Sequence, residues 1–302
     1  MGCHSNYFYK MLYSIILFIV TLLPQHHFAT IPAGNYSGIA WLGGNRYAVV
    51  SDKEDTDGFF VWSIGIDSVT GEIQSARNDG FFSSTQPNRD AEGIAYNPRT
   101  NTIFISGEAD NYIKEYDMTG KLTDRQISPT PLYNNLPGNL GLEALSYNDS
   151  TQTLWTCNES GNVIVQSYDA DLQPLLHYPY TLDAPLADQT KAAFYAHGIG
   201  TICALDEGTL LVLEREFYVP KKKLGSFVNC KLFHFKPGET KKELLASWRT
   251  SLTLFKQDIA NYEGMCLGPR LKDGSRVLIL VADSQDQYHG VLKDWIKTIR
   301  IK

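Results

Sequence analysis

Short apolar strands alternate with polar turns along most of this chain, and the pattern repeats. Five segments open on a polar residue and continue as an apolar strand, beginning at Ser37, Glu92, Glu143, His197 and Glu263. After a turn rich in Gly, Asn, Asp or Pro, each is followed by a second apolar strand. These second strands end on or near an acid, namely Asp52, Glu108, Glu159, Glu214 and Asp283.

Further strand-like segments follow most of these hairpins, and a final one covers residues 297–302. Repeats of roughly 50 residues with three or four strands each are typical of β-propellers. We therefore predict an all-β fold, a single β-propeller of four-stranded blades. Five blades are favoured; six are the alternative, because the stretches after Gly71 and before Ile259 are harder to assign. The last strand needs an outer partner, so we expect an N-terminal strand, around Thr30 to Asn35, to close the last blade.

The N-terminus carries an uncharged apolar run from Tyr13 to Leu23, with Lys10 before it and Pro24 after it. This layout is typical of a secretory signal peptide, and the run is shorter than the roughly 20 residues that span a bilayer. We predict a signal peptide over residues 1–29, a propeller domain over residues 30–302, and a periplasmic or secreted protein. An uncleaved membrane anchor is the alternative.

The charge of the chain limits the kinds of partner it can bind, and the cysteine spacing indicates what the cysteines do. The net charge is −6, and the one run of basic residues is Lys221–Lys223, which we predict to be an exposed loop. We expect no nucleic acid partner, no membrane contact beyond the signal segment, and a monomer. Four cysteines follow the leader without the close spacing of a zinc site, and we expect them to be small core residues: Cys157, Cys203, Cys230 and Cys266.

The hairpins predict a cluster of acids at one end of the central channel. If the two strands of each repeat are antiparallel, the start of the first lies opposite the end of the second, with Cβ atoms about 5 Å apart. The expected pairs are Ser37 with Asp52, Glu92 with Glu108, Glu143 with Glu159, His197 with Glu214, and Glu263 with Asp283. The innermost strands line the channel, so all five pairs would meet at one mouth.

So many carboxylates in one place oppose folding unless something compensates for their charge. A hard cation is one solution, and calcium takes six to eight oxygen ligands. The predicted calcium ligands are Asp52, Glu92, Glu108, Glu143, Glu159, Glu263 and Asp283. The other solutions are pairing with basic groups, and hydrogen bonds from some acids to the next blade, which would make them structural ties. The acidic stretch Asp52–Gly58 is expected to be a solvated loop.

Several phrases of the sequence resemble a known family: YSGIAWL, DAEGIAYNP, LLVLEREF and NYEGMCLGPRLKDGSRVLILVADSQ. They are similar to the phytase-like domain family, also called esterase-like activity of phytase, and the resemblance covers roughly the whole chain after the leader. It implies a secreted or periplasmic propeller whose central site is lined by Glu92, Glu143, Glu214, Glu263 and Asp283. It does not imply phytate hydrolysis.

Two functions are consistent with these features. The first is a metal-dependent hydrolase of phosphate or carboxylic esters, with a small-molecule ester bound at the channel mouth. Its candidate catalytic residues are His197 as acid or base, Arg215 as a partner for an anionic oxygen, and Glu214 beside them. The second is a non-catalytic propeller that binds a ligand or a protein. For that function, Phe81–Phe82 and Phe217–Tyr218 are predicted to be exposed on loops.

Overall fold

The computed structural model describes residues 18–133 and 141–302, and these form five four-stranded antiparallel sheets arranged as the blades of a propeller. The strands of the first three blades, with the N-terminal strand, are β1 Val20–His27; β2 Tyr36–Gly43, β3 Arg46–Ser51, β4 Thr56–Ile66 and β5 Ile73–Pro87; β6 Ala91–Asn97, β7 Thr102–Gly107, β8 Ile113–Asp117 and β9 Leu122–Ile127; β10 Leu142–Asn148, β11 Thr153–Asn158, β12 Val163–Tyr168 and β13 Pro174–Tyr180.

The remaining strands are β14 Ala192–Ala204, β15 Leu210–Pro220, β16 Phe227–Phe235 and β17 Lys242–Ser251 in the fourth blade, and β18 Asn261–Arg270, β19 Arg276–Asp283 and β20 Trp295–Ile301 in the fifth. Two short 3-10 turns, Gln189–Lys191 and Tyr288–Gly290, are the only helical elements among the described residues. The predicted five-bladed, all-β propeller is confirmed.

The ring closes through β1, which is the outermost strand of the fifth blade and pairs with β20. An N-terminal strand closing the last blade is thus confirmed, but the predicted segment, around Thr30 to Asn35, was wrong. That segment makes one isolated bridge, between Asn35 and Asp283. The closing strand carries Pro24, which an outer strand tolerates because no further strand needs its missing amide hydrogen.

The hydrophobic core is divided among the blade interfaces. Five clusters of buried side chains each draw on two neighbouring blades. Between the first two blades, for example, Val50 and Phe59 pack with Ile94 and Ile105. A single blade cannot cover its two apolar faces, so each interface depends on both of its neighbours.

Each inner hairpin turns through a residue with a left-handed backbone. Gly208 and Gly274 provide it in the fourth and fifth blades, with φ of 83° and 86°. In the second blade the position is held by Asn101, with φ of 53°. Asparagine tolerates this conformation better than most side chains, so the turn residues identified in the sequence account for the hairpins.

The first strand of every blade carries a β-bulge, which lies close to the beginning of the strand in four blades and further along the longer β14 in the fourth. The pairing register shifts between Tyr36 and Gly38, Ala91 and Ile94, Leu142 and Ala144, Ile199 and Thr201, and Tyr262 and Gly264. Bulges re-aim side chains and are common next to functional sites. Here they set the position of the inner carboxylates.

Other sequence predictions can be checked in the same structure. All four described cysteines are unpaired and buried, as expected of core residues. Lys221–Lys223 lies in an exposed loop, also as predicted. The aromatic pairs were misplaced, because Phe81–Phe82 lies within β5 and Phe217–Tyr218 within β15. None of the described helices has the length and apolar character needed to cross a membrane.

Candidate functional site

The channel mouth is built from two positions in each blade. The first is the bulged residue of the innermost strand, occupied in blade order by Ser37, Glu92, Glu143, Gly200 and Glu263. The second, on the neighbouring strand, comes directly after the partner of the residue before the bulge, and it is occupied by Asp52, Glu108, Glu159, Arg215 and Asp283. We call these ten residues the mouth ring; seven of them are carboxylates, all among the predicted metal ligands.

The bulges correct the predicted cross-strand pairs. The amide of Glu108 donates to the carbonyl of Asp90 at 2.8 Å, so Glu108 lies opposite Asp90 and not opposite Glu92. In the fifth blade, Asp283 is the partner of Asn261. An extra residue in one strand shifts every partner beyond it, so symmetry about the turn placed the pairs incorrectly while still bringing the acids together.

The fourth blade departs most from the prediction. His197 lies opposite Glu216, and Glu214 lies opposite Ile199, so the two are not a pair. Glu214 accepts hydrogen bonds from the Tyr180 hydroxyl at 2.8 Å and the Asp183 amide at 3.0 Å, and it forms an ion pair with Lys242. These contacts join the fourth blade to the third.

His197 and Glu214 therefore lie outside the mouth ring. Consecutive residues of a strand point to opposite faces, so Glu214 and Glu216 face away from the side on which Arg215 lies. His197 is opposite Glu216 and shares its face. Partial burial lowers the pKa of His197, which favours its neutral form. The residue that takes the inner position in this blade is Gly200, which sequence reasoning missed.

Arg215 lies in the mouth ring and is surrounded by acids. Its guanidinium Nη2 is 2.7 Å from a carboxylate oxygen of Glu263, 3.2 Å from Glu159 and 3.6 Å from Glu143. All four side chains are largely buried. Glu143 and Glu159 belong to the third blade and Glu263 to the fifth, so Arg215 of the fourth blade links three of the five blades at the channel axis.

Arg215 compensates only part of the acidic charge. Burial, reinforced by neighbouring carboxylates, raises the pKa of Glu92 and of Glu143 well above the usual range of a glutamate. Burial also raises the pKa of Glu263 to about 8, although Arg215 opposes the shift. Burial likewise raises the pKa of Asp52, to about 6. Near neutral pH, the ring therefore holds protons that these acids would lose in water.

Two oxygen atoms, one in the mouth ring and one beside it, lack a hydrogen-bond donor in the part of the chain that the structure describes. Oδ1 of Asp52 and Oδ1 of Asn261 are buried without a hydrogen-bond partner among the described residues. Asn261 is 5% exposed, and its amide nitrogen donates to Glu263 at 2.8 Å. A buried acceptor without a donor is costly, so such atoms point to a positive group that would complete the site.

One group of acids is close enough to share a single ion. Carboxylate oxygens of Asp52, Asp90 and Glu92 all lie within 4.8 Å of one another. The ammonium of Lys53 is 2.9 Å from Asp52 and 3.3 Å from Asp90, and its side chain is 55% exposed. Asp90 was not among the predicted ligands, although it stands two residues before Glu92 in the repeat.

Some acids make hydrogen bonds or ion pairs across a blade boundary. Asp57 was expected in a solvated loop but is 1% exposed, and its carboxylate is 2.7 Å from Nε of Arg89. Arg89 also donates to the Ile105 carbonyl, which joins the first blade to the second. In the ring itself, Glu108 accepts a 3.0 Å hydrogen bond from the Gly141 amide.

The opposite end of the channel is different in character. A cavity of about 360 Å³ lies there, lined by Trp41, Tyr96, Tyr147 and Arg276 among others. Apolar side chains separate it from the mouth ring, and these are Ile39, Ile94, Leu145 and Met265. The mouth ring and this cavity are therefore two separate features of the molecule.

Several solved structures show distant similarity to this one. The structure is similar to a chain of the nidogen/laminin complex, with 11% identity, a TM-score of 0.45, and coverage of 89% of this chain and 86% of that one. It is also similar to Kuenenia stuttgartiensis hydrazine synthase, with 9% identity, a TM-score of 0.43, and coverage of 88% and 81%. The WD40 propeller domain of Doa1 follows with 10% identity, a TM-score of 0.41, and coverage of 93% and 96%. Similarities this distant carry no information about activity.

The sequence itself gives the more specific assignment. No curated protein matches the chain significantly. A family model does, and it is described as "Phytase-like: Esterase-like activity of phytase". The match extends over residues 31–285, which include every residue of the mouth ring. On this evidence the chain belongs to the phytase-like family of β-propellers.

Proposed function

We propose that this protein binds a hard divalent cation, calcium in the first place, at the mouth ring and hydrolyses a phosphate or carboxylic ester bound there. One observation carries the proposal: the ring gathers seven carboxylates, but Arg215 is its only basic residue. Buried like charges are strongly unfavourable unless they are protonated or neutralised. A cation of charge +2 offsets more of the excess than any side chain nearby. The expected location is the periplasm or the medium, in keeping with the predicted leader.

The donor set suits calcium. Calcium binds carboxylate and carbonyl oxygens at about 2.3–2.6 Å, so oxygens that share one ion lie within about 5 Å of one another. Asp52, Asp90 and Glu92 meet this condition. The ammonium of Lys53 already bridges two of these acids, and its exposed stem lets it leave when a cation of higher charge arrives.

The cation would supply Lewis-acid chemistry, polarising the ester and lowering the pKa of a bound water. The protein's own residues would position the reactants and handle protons. Glu143 is the favoured acid or base, because it lies outside the group of Asp52, Asp90 and Glu92 that would hold the cation, and burial raises its pKa well above the usual range of a glutamate. Arg215, held by three glutamates, would keep the ring in place, which differs from the role of anion partner expected from the sequence.

A metal titration followed by thermal unfolding tests the proposal. The purified protein is treated with chelator and then titrated with calcium, magnesium, manganese or zinc. A ligand that binds only the folded state adds about 2.7 kcal/mol of stability at 100 times its dissociation constant. Calcium should raise the melting temperature of the wild type and of Asp149→Asn, a control at an exposed acid. Asp52→Asn and Glu92→Gln should weaken the response.

Hydrolysis is tested separately, on p-nitrophenyl phosphate and p-nitrophenyl acetate with and without the cation that raises the melting temperature. Cation-dependent turnover that Glu143→Gln lowers, while calcium still raises the melting temperature of that variant, supports the hydrolase. Cation binding without turnover of either ester would favour the alternative, a non-catalytic binding propeller. No response to any of the four metals would overturn the proposal and leave the acids as ties between blades.

A further inference from the structure

The fourth blade extends well past the mouth ring on the side of the channel mouth. Pro220, at the end of β15, lies five positions beyond Arg215, a distance of about 16 Å for an extended chain. The loop after it, residues 221–226, lies against the connection between the fourth and fifth blades. Backbone hydrogen bonds of 2.8 Å run from Gly225 to Leu252 and from Leu252 to Ser226.

Large apolar side chains point into solvent at this place. The amide of Thr253 donates to the carbonyl of Lys256 at 2.7 Å, which closes a tight turn with Leu254 and Phe255 at its centre. Leu254 is 74% exposed and Phe255 is 99% exposed, and Leu224 on the adjacent loop is 48% exposed. We call Leu224, Leu254 and Phe255 the apolar tip. A fully exposed Phe side chain buries no apolar surface within the fold, so we infer that it contacts another molecule.

Basic side chains surround the apolar tip. Lys221, Lys222 and Lys223 immediately precede Leu224, and Lys256 follows Phe255. Lys256 is paired with Asp258 at 2.9 Å, whereas no ion pair of Lys221 or Lys222 exists among the described residues. Lys223 lies 4.5 Å from the ring centre of Tyr288, which brings a third loop to the same surface. The protein is acidic overall, so this concentration of lysines is local.

We propose that the apolar tip and its lysines dock the protein on an anionic lipid bilayer. The apolar and the charged side chains both have a counterpart in such a bilayer. Leu and Phe can enter the acyl boundary, and the lysines can face the lipid phosphates. Tyr is suited to the interface between the two regions. The tip is small and projecting, which suits insertion between lipids. A stable protein partner would need a broad surface of roughly 800 Å² on each side.

The position of the apolar tip also explains how the acidic mouth ring can face an anionic bilayer. The distance of about 16 Å from Arg215 to the end of β15 is twice the Debye length of about 8 Å at physiological salt. Repulsion between the mouth ring and lipid headgroups is therefore largely screened, while the lysines are in contact. This docking departs from the sequence prediction of no membrane contact beyond the N-terminal segment, because the exposure of Leu254 and Phe255 is not visible in the sequence.

Vesicle flotation tests the proposal with the full-length protein. The probes are vesicles of phosphatidylcholine alone and of phosphatidylcholine mixed with phosphatidylglycerol, each at low and high salt. The wild type should float with the mixed vesicles at low salt and much less with the neutral ones or at high salt. The double variant Leu254→Ser/Phe255→Ser should lose about tenfold or more in binding, and Lys221→Glu/Lys222→Glu should lose the salt-dependent part.

Leu176→Ser is the matched control, since Leu176 is 60% exposed on the outer strand of the third blade. It should bind like the wild type, and all variants should keep the wild-type melting temperature. Absence of wild-type binding to the mixed vesicles, or unchanged binding by the Leu254→Ser/Phe255→Ser variant, would overturn the proposal. A concentration-dependent dimer that this double variant abolishes, without lipid binding by the wild type, would instead make the tip a self-association surface.

Discussion

The side chain of Arg215 fills the space that Gly200 leaves open beside it. A Cβ atom at Gly200 would lie 3.3 Å from Cδ and 3.4 Å from Nε of Arg215. The second, third and fifth blades carry a glutamate at the position of Gly200. A Cβ atom there would also lie 2.7 Å from the carbonyl oxygen of Tyr262. The fourth blade thus lacks one inner carboxylate and contributes a guanidinium instead.

Replacing Arg215 by Met should strongly destabilise the metal-free protein at neutral pH. The substitution leaves three buried glutamates without their cation, and breaking a buried ion pair typically costs about 3–5 kcal/mol. Urea unfolding in the presence of chelator measures the loss. It should be smaller at pH 5.5 than at pH 7.5, because protonated glutamates need no partner. Arg77→Met, at an exposed ion pair, is the control and should change stability by less than about 1 kcal/mol.

The metal-free protein should become less stable as the pH rises from about 5 to about 8. The pKa of Asp52 is raised to about 6 and that of Glu263 to about 8, so the folded state keeps protons that the unfolded state loses near pH 4. Stability from these groups is complete below their unfolded pKa and is lost as the pH passes their folded pKa. Each group in this window lowers the unfolding free energy by about 1.4 kcal/mol per pH unit.

Melting temperatures in chelator across this pH range check the slope. Glu263→Gln should flatten it, because the amide carries no titrating proton. Calcium should flatten it as well if the ion replaces the protons in the mouth ring. A melting temperature that rises steadily from pH 5 to pH 8 would contradict the raised pKa values.

The propeller and its acid ring could be predicted from the sequence, because both follow from features that each repeat displays. Alternating strands and turn residues predicted the five blades, and the recurring acids predicted the seven carboxylates of the mouth ring. The exact pairs could not be predicted, because a β-bulge adds a residue without changing the apolar pattern. In the fourth blade, the inner residue is a glycine, so no side chain marked the position, and the polar His197 was aligned with the glutamates in its place.

Arg89 should be a structural residue, with a larger effect on stability than on any ion or ligand. Its guanidinium is paired with buried Asp57 and donates to the Ile105 carbonyl. Arg89→Met leaves Asp57 as an unpaired buried charge, so a loss of about 3–5 kcal/mol is expected. Calorimetry or urea unfolding measures this loss of stability. If calcium raises the melting temperature of this variant by as much as that of the wild type, the tie and the mouth ring are independent.

The fifth blade should require the strand that the sequence analysis assigned to the signal peptide. β1 supplies the outer partner of β20, and Val20 packs with Phe18 against the core between the fourth and fifth blades. A cut after Ala29 would remove β1 and leave β20 as an unpaired edge, which promotes association with other chains. We therefore expect the exported protein to retain Val20–His27, and intact mass spectrometry of material from the periplasm or medium would show it.

Two truncated chains separate the role of β1 from that of the residues before it. A chain that begins at Thr30 should lose about 3 kcal/mol or more, since burying a Val or Phe side chain contributes roughly 1.5–3 kcal/mol and β1 adds its hydrogen bonds to β20. A chain that begins at Phe18 keeps the strand and should melt like the full-length protein. Equal melting temperatures for the two truncated chains would show that the fifth blade closes without β1, and cleavage after Ala29 would then be compatible with the fold.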